Sequence, residues 1–165
     1  MAHEHYVLPL AVVSQGDAMR LKRELEVLSD YVRQAELRQP GTPLKALPKT
    51  STSLDAFAGD NKLNLLKHDD REAALNFLSR LADQAPVVHI SFASEPSATF
   101  MRKLTRWFRD QIDPHVLVNV GLEPSIAAGF TLRTLNRYHD FSLRQQFSDH
   151  RDILLKGLKE PANKA

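Results

Sequence analysis

Leu122 to Phe147 reads LEPSIAAGFTLRTLNRYHDFSLRQQF, a run whose residue types answer to turn geometry rather than to reactive chemistry. Pro124 pre-sets a turn, Gly129 permits close backbone approach, and Ser142 has the side chain of a helix N-cap. Between them, Ile126 to Leu135 and Arg137 to Phe141 read as two strands of a hairpin turning near Asn136. Ser142 and Gln145 have capping-box spacing and open a last helix, with Leu143, Phe147, Leu154 and Leu158 as its apolar stripe before the polar tail PANKA.

Upstream, Val87 to Ala93 (VVHISFA) alternates and places Val88, Ile90 and Phe92 on one face of a half-buried strand. Ser94 to Ser97 supply turn and capping groups. Phe100, Leu104, Phe108 and Ile112 then line one face of a helix, and Arg102, Arg106 and Arg109 line another, until Asp113-Pro114 stops it. Val116, Val118 and Val120 mark a second strand. A strand-helix-strand unit is a parallel crossover, right-handed in about 98% of cases. The expected fold is therefore α/β (α+β): a mixed β-sheet with a parallel crossover plus an antiparallel hairpin, covered by helices.

The first half is less regular. Tyr6 to Val13 (YVLPLAVV) has strand composition, and Pro9, lacking an amide hydrogen, restricts it to a sheet edge, where it would join the same sheet. Ser14 is an N-cap with Asp17 in the first turn, and Leu21, Leu25, Leu28, Val32 and Ala35 form a helical seam expected to pack on the chain's own sheet. Gln39 to Ser53, with Pro40, Pro43 and Pro48, reads as an extended linker. A short helix around Ser53 to Ala58 follows. Asp69 and Glu72 resemble a capping box opening a helix whose Leu75, Leu78 and Leu81 face inward, and Ala85-Pro86 stops it. The expected division is a strand and helical segment over 1–85, whose independence is open, and a second domain over 86–165.

Composition narrows the function classes. The 165 residues include no cysteine, so thiolate metal sites and disulfides are excluded, and a reducing compartment fits. The 22 basic and 20 acidic residues nearly cancel, to a net charge of +2, too mild to argue for nucleic acid. The N-terminal stretch shows no basic leader or cleavage pattern, and no run approaches the roughly 20 apolar residues of a membrane span. His3, His5, His68, His89, His115, His139 and His150 show no ligand pair of HxxxH type, and there is no Gly-rich phosphate loop and no GxSxG elbow. No metal and no cofactor are expected. Asp140, beside a helix start, reads as an acceptor for backbone amides rather than as a catalytic carboxylate. The row Arg102, Arg106 and Arg109 reads as a solvated face that a phosphate or an acidic helix could also use, and Trp107 as a core residue or partly buried anchor. Two other classes stay open: a stand-alone protein- or nucleic-acid-binding module using the sheet and these arginines, and a small enzyme using Asp140 with a histidine such as His139.

From Val87 to Leu158, VVHISFA, LEPSIAAGF and HDFSLRQQF taken in order resemble the C-terminal domain of the delta subunit of F-type ATP synthases, the oligomycin-sensitivity-conferring protein of mitochondria. Pro124, Ser125, Gly129, Asp140, Ser142 and Arg144 match that pattern by type and order. Glu123 stands where the family has Asp, and Ala128 and Phe141 stand where it has Gly. The family's N-terminal helical bundle is not legible in the first 85 residues. The resemblance implies a non-catalytic subunit of the peripheral stalk, or stator, in proton-driven ATP synthesis. It implies b-type stalk subunits and alpha subunits of the head as partners, no direct nucleic acid, and a cytoplasmic position peripheral to the membrane through the complex. It also directs attention to the hairpin and last helix, with Phe147 and Leu154, beside Arg102, Arg106 and Arg109, as partner-binding residues.

Overall fold

The computed structural model describes residues 6–37, 46–126, 128–134 and 136–151. Residues 39–45 of the proline-rich linker, Leu135 of the hairpin, and Leu154 and Leu158 lie outside them. The elements run α1 (Gln15–Glu36), α2 (Thr52–Asp60), α3 (His68–Gln84), β1 (Val87–Phe92), α4 (Ala98–Gln111), β2 (Leu117–Leu122), a 3-10 turn (Pro124–Ile126), β3 (Phe130–Arg133), β4 (Tyr138–Asp140) and α5 (Leu143–Asp149). They form two compact units. Met1–Val87 groups with Ala98–Val118, and Val88–Ser97 groups with Asn119–Ala165.

The first unit is built on helices. Ser14 and Asp17 close a reciprocal capping box: the Ser14 hydroxyl accepts from the Asp17 amide at 3.2 Å, and the Asp17 carboxylate accepts from the Ser14 amide at 3.0 Å. Ala18, Leu21, Leu25 and Leu28 are buried along one face of α1. Their partners are helical, because Leu54 and Phe57 of α2 and Ala74, Phe77, Leu78 and Leu81 of α3 share one core with them. The seam expected to lie on a sheet thus packs on stripes of its own 3.6 period. Ser51 caps α2, and Glu24 of α1 accepts from both its amide and its hydroxyl, tying the start of α2 to α1. Tyr6, Phe57 and Phe77 meet with ring centroids 5.0–6.1 Å apart, and the edge of His115 stands 5.3 Å from Phe77.

Two expectations change here. The helix expected to begin at Asp69 begins at His68, its N-cap Lys67 makes no side-chain cap bond, and Asp70 instead accepts from the Asn64 amide at 2.8 Å. Tyr6 to Val13 is not a strand. Val12 donates to the Pro9 carbonyl at 3.0 Å in a turn, and the guanidinium of Arg109 reaches the carbonyls of Leu8 and Pro9, each at 3.1 Å, and that of Val12. Pro9 removes a ladder donor, and the rigid donor fork of an arginine takes the acceptors a neighbouring strand would have used. At the end of the segment, the Val13 carbonyl accepts from the Val118 amide at 2.8 Å.

The second unit carries most of a four-stranded sheet in the order β2-β1-β3-β4. β2 and β1 are parallel and the other pairs antiparallel, so the mixed sheet expected from the crossover and the hairpin is present. Phe92 pairs with Phe130, Ile90 with Leu132, and Leu132 with His139. Thr134 closes the hairpin through its amide to the Arg137 carbonyl at 2.8 Å. Ile126 belongs to the 3-10 turn rather than to the strand.

Replacing Arg109 with Ala leaves the Leu8 and Val12 carbonyls without their donor, and Pro9 with the Val12 amide alone, and is expected to cost about 2–4 kcal/mol, read by urea denaturation. Arg109→Lys should recover only part of this, since an ammonium cannot reproduce the fork.

Candidate functional site

The opening run folds into a single backbone crossing. Pro124 starts the 3-10 turn, the Ser125 hydroxyl donates to the Glu123 carboxylate at 3.0 Å, and Ile126 is buried beneath. Gly129 follows with φ +94°, where a Cβ would collide with the Phe141 carbonyl and lie 3.0 Å from the Ser142 Cα. Only glycine meets both demands. Its neighbours bond across the gap: the Leu143 amide to the Ala128 carbonyl at 2.8 Å, and the Phe141 amide to the Phe130 carbonyl at 3.0 Å. Ser142 is fully buried in the crossing, and its hydroxyl accepts from the Gln145 amide at 3.2 Å to cap α5.

Asp140 accepts from the Ser142 amide at 2.8 Å. Hydrogen bonds from the Ser142 hydroxyl, then from its amide, hold the Asp140 carboxyl below the ordinary aspartate range against desolvation, which raises it, and the charge of Arg144 lowers it further. A carboxylate so engaged is built to stay ionised. His139 and Asp140 are neighbours on β4, and neighbours on a strand point to opposite faces, so the two do not form an acid–base pair. The signature residues Pro124, Ser125, Gly129, Asp140 and Ser142 therefore serve one local structure, and Arg144 acts on it through charge.

The residues singled out for partner binding are distributed differently. Arg102 and Arg106 are exposed on α4, whereas Arg109 is buried, its pKa lowered by desolvation and its fork committed to the Leu8–Val12 turn. The arginine row is thus two residues long. Trp107, expected as core or anchor, is 55% exposed, and of the apolar row on that helix Phe108 alone is buried, with Phe100 and Ile112 exposed. Phe147 is 52% exposed on α5, and Leu154 lies outside the described residues. Leu143, read with Phe147 as part of one apolar stripe, is also exposed, as are Tyr138 and Phe141 of the hairpin region, which sequence reasoning did not single out. Phe141 lies 5.1 Å from Phe130 and stacks near His139 at 6.0 Å. Tyr138 and Phe141 sit in a run with no proline or lysine to mark an edge, so no sequence signal shows these side chains as solvent-facing.

Elsewhere, a cleft of about 600 Å³ in the first unit is lined by Leu8, Pro9, Asp60, Arg106, Asp110 and His115 among others. The His115 Nε2 donates to the Tyr6 carbonyl at 3.0 Å, and the remaining charges are of both signs. Arg109 also lines it, with its guanidinium committed to the Leu8–Val12 turn. Among the described residues no three His, Cys, Asp or Glu side chains gather as metal ligands, and no helix is long and apolar enough to cross a membrane.

No family model matches the chain, and no curated protein matches it.

Gly129→Ala should destabilise the fold by about 2 kcal/mol or more, whereas Gly59→Ala, in α2 with nothing within 4 Å of the added methyl, should stabilise by about 0.5–1 kcal/mol. Urea denaturation of the pair checks this. The Asp140 contribution follows from its lowered pKa: it is present above the unfolded aspartate pKa and lost as pH falls through the lower folded value. Asp140→Asn should flatten that acid limb when melting temperature is followed against pH.

Proposed function

We propose that this chain is a non-catalytic peripheral-stalk subunit of an F-type ATP synthase, which links b-type stalk helices to the catalytic head during proton-driven synthesis. The observation that carries the reading is the set Pro124, Ser125, Gly129, Asp140, Ser142 and Arg144, matched in type and order to the delta-subunit pattern. In this chain Gly129, Asp140 and Ser142 share one backbone crossing on which Arg144 acts by charge, and Pro124 and Ser125 form the 3-10 turn just before it in sequence. The four exposed apolar side chains Tyr138, Phe141, Leu143 and Phe147 support the role of the hairpin and α5 as the stalk-binding face. A stator must resist torque, and that demand is met by apolar burial and shape fit rather than by reactive groups.

In this reading the first unit faces the alpha subunits of the head, Arg102 and Arg106 contribute to partner contacts, and the chain sits on the cytoplasmic face of the membrane through the complex.

Tagged chain recovered from solubilised membranes should bring down stalk and head subunits together. Phe147→Asp, on an exposed site, should reduce the stalk fraction about tenfold or more without altering the melting temperature. Recovery of neither partner from intact complexes overturns the reading.

A further inference from the structure

We propose that the outer edge of β2 is a self-complementary pairing edge, through which two copies of this chain associate by antiparallel strand addition about Gly121. In a parallel pair, alternate residues turn both their amide and their carbonyl to the same side. The amides of Leu117 and Glu123 bond inward, to Pro86 at 2.9 Å and Phe92 at 2.8 Å, so Asn119 and Gly121 also face β1 and Val118, Val120 and Leu122 face outward. The position of Gly121 agrees, since a Cβ on it would lie 3.1 Å from the Ser91 hydroxyl.

Val118 is already used, donating to Val13 at 2.8 Å. Pro124, just beyond the strand, has no amide hydrogen to offer. Val120 and Leu122 are left, with outward groups that no described residue takes and side chains 43% and 59% exposed. The strand LVNVGL carries none of the usual guards of a sheet edge, neither lysine nor proline. The opposite edge is guarded, because β4 is three residues long and ends on Asp140.

These limits select the occupant and its register. A two-fold axis at Gly121 sets Val120 opposite Leu122 of the second copy, and each pair exchanges two hydrogen bonds, four in all by symmetry. An axis at Val120 would require the spent amide of Val118, and one at Leu122 would require an amide from Pro124. The Gly121 register also places Glu123 opposite Asn119, so no like charges meet. Val120 and Leu122 lie on the same face, and their pairing extends the apolar rows that run through Ile90 and Leu132 and through Phe92, Phe130 and Phe141. Parallel addition would engage different groups on the two copies, whereas the antiparallel pair uses the same groups on both and is two-fold symmetric. Nothing in this inference depends on the stalk reading.

So small an interface makes a weak, reversible dimer, and sedimentation equilibrium of the full chain up to about 1 mM is the test. A monomer–dimer equilibrium is expected, and Val120→Lys and Leu122→Lys should each weaken it at least about tenfold with unchanged melting temperature. The absence of cysteine allows the register to be read directly. When Val120→Cys and Leu122→Cys chains are mixed and mildly oxidised, the mixed disulfide should exceed random pairing. A monomer at every concentration, a dimer indifferent to both lysines, or random cross-linking overturns the proposal.

Discussion

The second unit depends on one close approach of backbone to backbone, where Gly129 passes against Phe141 and Ser142 with no room for a side chain. Because the chain can cross there, Phe130 and Phe141 bond as the end of the hairpin, Ala128 receives the amide of Leu143, and Ser142 is set to cap α5. Asp140 neutralises the amide that the crossing would otherwise strand. Strand, turn and helix are thus not separate elements joined by a loop. They share one junction, bonded across by the Leu143 amide to Ala128, the Phe141 amide to Phe130 and the Ser142 amide to Asp140.

The first unit solves the same problem of unpaired backbone by another route. Its two buried arginines act as internal donors: Arg109 on the Leu8–Val12 turn, and Arg71 on the Leu65 and Leu66 carbonyls at 3.1 and 2.7 Å. A guanidinium is suited to this because its charge is weakly hydrated and its five donors lie in a plane. Segments without a ladder are in this way fastened to α3 and α4, while leucines and phenylalanines of α1, α2 and α3 fill the core between them. The cost is a cation removed from water, which is visible in the lowered pKa of Arg109.

These junctions bear on function by what they do with their chemistry. The side chains that first invite a catalytic reading, Asp140 and Ser142 above all, are consumed in holding backbone. What remains outward on the hairpin and α5 includes Tyr138, Phe141, Leu143 and Phe147 among arginine, histidine and glutamine side chains. A surface of that composition acts by being covered, and the stator proposal takes it in that sense.

Sequence alone was enough for much of what a few neighbouring residues govern, although the Asp69–Glu72 spacing did not form the capping box it suggested. The Ser14 cap with Asp17 in the first turn, the Ser142 cap, the hairpin near Asn136, the alternation of Val88, Ile90 and Phe92 and the need for glycine at 129 are local, since each is set by groups within a turn or by the period of a strand. The parallel crossover was legible for a similar reason, because a strand-helix-strand order has few permitted connections. Tertiary structure decided which members of equivalent patterns are inside. Arg102, Arg106 and Arg109 are alike in sequence, and the last was claimed by carbonyls about a hundred positions away. Tyr6 to Val13 has the composition of a strand and became a turn held by that arginine, while the α1 seam met helices instead of a sheet. Composition and period state that a face is apolar; only the chain's long-range return determines what comes to lie against it.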